Sequence, residues 1–231
     1  MKALVYTGPE ALVVQDMPDP VVSGDECLIE IRHVGICGSD MHAWAGHDDR
    51  RPAPLILGHE AAGLVIEGPM QGQHVTINPL VSCGNCEVCQ SGRENLCAQR
   101  EIISMPPRQG AFAEFVTMPA GNLVAIPDGF PTWKAALAEP IACGWHAVRL
   151  GSRILDRPVS QASCLVLGGG AIGLGAALVL AAKDAAEIWI AETNPARRQL
   201  IAQRGPFKTY DPTKESGPDQ VDLVIDGVGF E

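Results

Sequence analysis

The 231-residue sequence has no apolar run long enough to span a membrane. Its first residues, Met1-Lys2-Ala3-Leu4-Val5, lack the charged, apolar and cleavage regions of a secretory leader and run straight into a strand-like segment. Those two absences make the cytoplasm the expected compartment. Positive charge is also short: 17 Lys and Arg against 27 Asp and Glu leave a net charge of −10. A surface of that sign repels nucleic-acid phosphates and anionic lipid, which argues against both as partners. Internal repeats and low-complexity tracts are absent too, which leaves ordinary globular domains.

What is present fits that class. Hydrophobic residues make up 46% and charged residues 19%, while 25 Gly and 18 Pro point to many turns and short strands. Through residues 1–135, short β-type runs alternate with Gly and Pro: Lys2–Tyr6, Cys27–Val34, Ala61–Glu67, His74–Asn78, Phe112–Thr117 and Leu123–Ile126. That spacing predicts a barrel-like antiparallel domain. Thr132–Leu150 reads as helical with an interruption near Pro140. From Ser163 the pattern changes to strand Cys164–Leu167, helix Ala171–Lys183, strand Glu187–Ala191, helix Pro195–Arg204 and strand Val221–Asp226. Alternation of this kind predicts a doubly wound parallel sheet, so the fold class is mixed α/β. The boundary is expected in Gly151–Gln161, giving domains 1–150 and 151–231.

Eight cysteines are unevenly placed. Four stand in Cys83-Gly-Asn-Cys86-Glu-Val-Cys89-Gln-Ser-Gly-Arg-Glu-Asn-Leu-Cys97. Two consecutive C-x-x-C steps turn thiolates back toward one point and a fourth closes a tetrahedron, the pattern of a closed structural zinc site. Disulfides are the alternative, disfavoured without a secretory leader. An iron–sulfur cluster lacks its Cys-Pro ending. A second group is Gly35-Ile-Cys37-Gly38-Ser39-Asp40-Met41-His42-Ala43-Trp44, followed by Gly58-His59-Glu60 and Leu137-Ala138-Glu139-Pro140. One thiolate, one imidazole and one carboxylate suffice for a three-ligand zinc site that keeps a position open for catalysis.

Further along, Leu165-Val166-Leu167-Gly168-Gly169-Gly170-Ala171-Ile172-Gly173 sets Gly168, Gly170 and Gly173 in a G-x-G-x-x-G loop between an apolar strand and an apolar helix. The first glycine makes the turn, the second admits a pyrophosphate, and the third lets helix and strand close up. Ala171 and Ile172 complete the loop. Glu192, at the end of the next strand, is placed to take hydrogen bonds from the adenosine ribose and to repel a 2′-phosphate, which favours NAD over NADP. Arg197 and Arg198 follow in a helix, where arginines are most often solvent-facing.

The four-cysteine lobe (residues 80–98), with Gly84 and Gly92 in place, closely resembles the structural-zinc lobe of the medium-chain dehydrogenase/reductase family. Gly-Ile-Cys-Gly-Ser-Asp, Gly-His-Glu and Glu-Pro are similar to the catalytic-zinc motifs of its sorbitol and threonine dehydrogenase branch. The resemblance implies a GroES-like catalytic barrel followed by a Rossmann-type nucleotide domain. It makes Cys37 and His59 ligands, Glu60 a direct or exchanging ligand, and Glu139 a ligand directly or through water. Asp40 would orient the ligand histidine, with a helix N-terminal charge as the plainer role. Cys143 would lie beside the nicotinamide, outside the metal set. Ser39 and His42 match a proton relay, His42 being equally readable as a surface histidine, and Trp44 would wall the substrate cleft.

The implied activity is reversible oxidation of a secondary alcohol or polyol to a ketone, with zinc as Lewis acid and hydride transfer to NAD. A homo-oligomer, dimer or tetramer, is implied for the complete protein. Competing readings are zinc-free quinone reductase chemistry, which needs the ligand positions lost, and a zinc- and NAD-binding fragment without turnover. Two departures stand out. The loop Glu67-Gly-Pro-Met-Gln-Gly-Gln-His74-Val75 is shorter than the family's and lacks the aspartate of its Gly-Asp-x-Val motif. The sequence also ends after a segment resembling the fourth strand of the nucleotide domain and its turn, so roughly a hundred further residues are expected in a complete member.

Overall fold

Short runs rich in β-branched residues and cut by glycine and proline fold in the first unit, Met1–Glu139, into antiparallel strands. The structure, a computed structural model, describes residues 1–229. The strands are β1 (Lys2–Gly8), β2 (Ala11–Asp16), β3 (Glu26–Gly35), β4 (Leu55–Ile56), β5 (Glu60–Glu67), β6 (His74–Ile77), β7 (Leu80–Val81), β8 (Glu101–Ile102), β9 (Phe115–Pro119) and β10 (Leu123–Ala125). A five-stranded sheet runs β10-β6-β5-β3-β9, a three-stranded sheet β2-β1-β4, and β7 pairs with β8. The 110–114 segment stitches the two larger sheets: Leu4 N–H donates to Phe112 O at 2.7 Å and Ile31 N–H to Glu114 O at 2.9 Å. Inward residues of alternate period, among them Cys27, Ile29, Val65, Val75, Val116 and Met118, form the core. Helices α1 (Gly38–Trp44), α2 (Glu87–Gln90) and α3 (Thr132–Ala135) fill connections.

The register of β3 on β5 matters most for function. Gly35, the last residue of β3, is the cross-strand partner of Glu60, the first of β5. The chain leaving β3 therefore passes Ile36 and Cys37 into α1 beside the chain entering β5 through Gly58 and His59. Residues far apart in sequence meet at one end of the sheet.

The second unit, Pro140–Glu231, carries the alternating pattern. The helix α4 (Ala138–Ser152) leads to β11 (Ser163–Leu167), α5 (Ala171–Ala182), β12 (Glu187–Ala191), α6 (Pro195–Ala202), β13 (Phe207–Tyr210) and β14 (Leu223–Asp226). The sheet order is β13-β12-β11-β14 with every pair parallel. This is the doubly wound sheet expected from the sequence. Buried Val166, Ala176, Ala177, Leu180, Ile188, Ile190 and Ile201 make its core. Asn194 caps α6, its Oδ1 accepting the N–H groups of Ala196 (3.0 Å) and Arg197 (3.1 Å), with Pro195 in the first turn.

Local boundaries differ from the sequence reading in several places. The expected helical break near Pro140 falls earlier, between α3 and α4, because a proline in the first turn of α4 loses only an N–H that has no helical partner. The strand expected at Phe112–Thr117 begins at Phe115, the residues before it being the irregular stitch between sheets. Strands β2, β4, β7, β8 and β13 have no counterpart among the runs read from the sequence. Phe230 and Glu231, the end of the turn expected after the fourth strand, lie outside the described residues. No described helix is long and apolar enough to cross a membrane.

Candidate metal centres and dinucleotide loop

The four-cysteine segment folds as the spacing demands. Sγ–Sγ separations are 3.5 Å for Cys83–Cys97 and Cys86–Cys89, 3.9 Å for Cys83–Cys89 and 4.0 Å for Cys86–Cys97. Sulfurs 2.3 Å from a central zinc make a tetrahedron with edges of about 3.8 Å, so the residues present fit the ion. All four are thiols rather than disulfides. The lobe polarises them unequally. The N–H groups of Asn85 and Cys86 bring the Cys83 thiol down to about 6, while burial and neighbouring sulfurs push Cys89 up to about 12.

At the end of β3 and β5, one ligand atom each from Cys37, His59 and Glu60 lies within 4.8 Å of the others. Asp40, 2% exposed, organises this cluster from below. Its Oδ2 accepts the Cys37 N–H at 3.0 Å, its Oδ1 accepts the Gly58 N–H at 3.1 Å, and Oδ1 stands 3.5 Å from His59 Nδ1. One carboxylate thus serves both roles considered for it, closing the first turn of α1 and facing the histidine. Burial works to raise the Asp40 pKa, but His59 and the two N–H donors outweigh it and hold the group below the usual carboxylate range. Burial disfavours the His59 imidazolium, yet Asp40 and Cys37 raise its pKa to about 10. The Cys37 thiol is lowered, chiefly by His59 against the opposing effect of burial. Glu60 is raised by burial and then by the charge of Glu139, which also brings the second candidate glutamate to this centre, although it is not one of the three clustered ligand atoms.

Two buried polar atoms here, His59 Nδ1 and Ser39 Oγ, have no hydrogen-bond partner. Asp40 faces His59 Nδ1, so the other ring nitrogen is the one left to converge with the Cys37 thiol and the Glu60 carboxylate, a donor set that suits a bound cation. His42 is exposed on α1, and Ser39 Oγ makes no direct link to it. Trp44 lines an apolar cavity of about 440 Å³ together with Ile36, Met41, Leu57, Phe112 and Asp40. Phe112 stands in no motif, and Met41, although inside the Gly35–Trp44 run, carries no signal that marks it as a lining residue. Gly35 stood inside a motif without a role, although a glycine within a strand is itself a signal that something approaches closely.

In the second unit, Gly168 takes the left-handed conformation (φ +84°) and ends β11. A Cβ on Gly173 would fall 1.9 Å from Gly168 O, so only glycine lets α5 sit this close. Around Gly170 a Cβ would meet nothing within 4 Å, and this residue caps α5 without any side-chain hydrogen bond. The space beside Gly170, at the N-terminus of α5, suits the close approach of a pyrophosphate. Glu192 is buried. Its Oε2 accepts the Gly169 N–H and an Arg197 Nη1–H, both at 2.9 Å, and its Oε1 accepts the Asn194 N–H at 2.8 Å. Burial would raise its pKa, but these donors together leave it lowered. Arg197 is solvent-facing as its position suggests, whereas Arg198 is not. Arg198 donates to Glu192 O at 2.5 Å and stands 3.4 Å from Asp211 Oδ2, with its side chain 18% exposed, whereas Arg197 is 49% exposed.

The profile of the alcohol dehydrogenase GroES-like domain matches residues 23–128. L-galactonate-5-dehydrogenase of Escherichia coli is 38% identical over 221 residues, covering 93% of this chain and 63% of that protein. An L-threonine 3-dehydrogenase of Alteromonas mediterranea is 32% identical over 241 residues, covering 100% of this chain and 69% of that protein. A Sinorhizobium meliloti protein solved with NADP bound superimposes with a TM-score of 0.89 at 30% identity, over 99% of this chain and 70% of that one. The chain thus spans about two thirds of the length of the curated relatives it matches. With both cysteine-containing centres and the glycine loop in their places, the chain belongs to the zinc-dependent medium-chain dehydrogenase/reductase family.

Proposed function

We propose that the protein is a cytoplasmic oxidoreductase that reversibly oxidises a secondary alcohol or polyol to a ketone and passes hydride to NAD. Residues 1–150 form the catalytic part and 151–231 the nucleotide-binding part. The observation that carries the reading is the cluster of half-buried Cys37 with buried His59 and Glu60, three unlike donors within 4.8 Å of one another. Zinc held there supplies Lewis acidity toward the substrate oxygen, and NAD supplies the hydride acceptor.

The chain's own residues do the rest. Cys37 and His59 hold the ion. Glu60 is the third ligand or exchanges with water, and Glu139 joins directly or through water. Asp40 keeps His59 aimed and, by accepting from Nδ1–H, would make the other ring nitrogen a better ligand. Ser39 Oγ, buried, would take the substrate hydroxyl proton while giving up its own, and His42, on the exposed side of α1, would receive that proton through a bridging water and release it to solvent. Trp44 walls the substrate cleft, as the resemblance implies. The lobe of Cys83, Cys86, Cys89 and Cys97 takes a second, structural zinc. Gly168, Gly170, Ala171, Ile172 and Gly173 cradle the pyrophosphate, and Glu192 takes the ribose. The assembly is a homodimer or homotetramer, as the resemblance implies.

Replacing Cys37 or His59 with Ala in the whole protein should remove turnover while NAD still binds. Lewis-acid stabilisation is worth several kcal/mol, so the expected loss in kcat is about a thousandfold or more. Hydride transfer followed at the nicotinamide absorbance, beside a direct NAD titration, decides it. Near-normal turnover in either variant refutes the mechanism.

A further inference from the structure

Opposed residues in an antiparallel pair keep their Cβ atoms about 4.5–5.5 Å apart, with side chains standing off the sheet. The Gly35–Glu60 pair does not follow this rule. A Cβ built on Gly35 would lie 3.1 Å from Glu60 Cβ, 3.2 Å from its Cδ and 2.1 Å from its Oε2. The Glu60 side chain therefore folds back over its own partner residue, and a carboxylate oxygen fills the volume where a methyl would be. Gly35 is not among the glycines with positive φ, so its backbone is open to any L-residue. What it supplies is space. Two residues later comes Cys37, and the residue before Glu60 is His59, so the same fold-back delivers the carboxylate to both other donors.

We propose that Gly35 is a positioning residue of the Cys37–His59–Glu60 centre: the side chain it lacks is the space through which the Glu60 carboxylate reaches the metal. The proposal rests on the reading of this cluster as a metal centre. A methyl at position 35 pushes the carboxylate out of the cluster while leaving Cys37, His59 and the cysteine lobe with their own contacts.

The test uses cobalt(II), whose visible spectrum reports its ligands, titrated into the metal-depleted whole protein. Two equivalents should bind in the wild type, one of them lost in Cys37→Ala. In Gly35→Ala that same equivalent should weaken by about tenfold or more, roughly the effect of disturbing a residue that orients a ligand, with an altered spectrum. The lobe equivalent should stay unchanged. On a Glu60→Gly background the methyl has nothing to meet, so adding Gly35→Ala should change neither affinity nor spectrum. If Gly35→Ala alone fails to fold, the double variant should fold as well as Glu60→Gly. Wild-type cobalt affinity and spectrum in Gly35→Ala overturn the proposal, as does an equal effect on both backgrounds or a double variant that still fails to fold. An unchanged titration in Cys37→Ala overturns the metal reading itself and the proposal with it.

Discussion

The Glu192 carboxylate collects two backbone N–H groups and one arginine at the end of β12, and this arrangement bears on cofactor choice. One solved relative binds NADP, so family membership alone does not settle the matter. A 2′-phosphate brought to Glu192 meets a like charge that is held ionised by its donors, while ribose hydroxyls meet an acceptor. The protein should prefer NAD, and Glu192→Ala should shift the NAD/NADP ratio of kcat/KM by about tenfold or more, a change of only about 1.4 kcal/mol. The two arginines then separate. Arg198 is already held by Asp211 and the Glu192 carbonyl, whereas Arg197 loses its partner and is half-exposed. Adding Arg197→Ala to Glu192→Ala should reverse the gain for NADP, and adding Arg198→Ala should not. Equal use of both cofactors by the wild type means that the carboxylate does not face the ribose. Glu192 and the candidate metal ligands were legible as candidates because each stands in a motif of fixed spacing. The Arg197 contact and the Gly35 space were not, since both arise from side chains meeting across elements whose register no local pattern states.

Close approach at the element scale is clearest where α5 meets β11. Gly173 Cα faces Gly168 O so closely that a methyl would sit 1.9 Å from a backbone oxygen, with Val166 Cγ1 at 3.1 Å behind it. Backbone cannot rotate away as a side chain can. Gly173→Ala should therefore cost at least the roughly 1–3 kcal/mol of ordinary overpacking and move α5 off the sheet. Because that shift also displaces the N–H groups at Ala171 and Ile172, NAD affinity should fall together with melting temperature. Gly170→Ala meets no atom within 4 Å and should leave stability nearly unchanged. A melting temperature for Gly173→Ala equal to wild type would contradict the packing argument. The parallel strands β11, β12 and β14 were legible as short apolar runs bounded by turn residues. β13, Phe207-Lys-Thr-Tyr210, is half polar because it lies on the edge of the sheet, and periodicity gives little there. β2 escaped for a related reason: Leu12, Val13 and Val14 are all exposed on an edge, so no alternation marks them.

For the molecule as a whole, the two centres in the first unit should answer differently to metal removal. The Cys37–His59–Glu60 cluster hangs on β3 and β5, which have a core of their own in Ile29, Ala61, Val65 and Val75. The cysteine lobe has little to hold it besides its thiolates. Between Cys83 and Cys97, only Cys89 and Cys97 are buried, and the regular structure amounts to α2 and one short 3-10 turn. Binding free energy at such a closed site is folding free energy for the segment around it. Cys83→Ser should therefore lower the zinc content of the whole protein from two per chain to one, open residues 83–97 to proteolysis, and lower thermal stability. The Cys37 centre should keep its ion, because no ligand is shared between the two clusters. Cys37→Ala should give the mirror result: one zinc lost, turnover gone, and the lobe as resistant to protease as in the wild type. The measurements are elemental analysis, limited proteolysis with the cleavage sites mapped, and a melting curve for each variant. If Cys83→Ser retains two zinc ions and the wild-type melting curve, the lobe is not a structural metal site. If it loses both ions together, the two centres are not the independent units that their geometry describes.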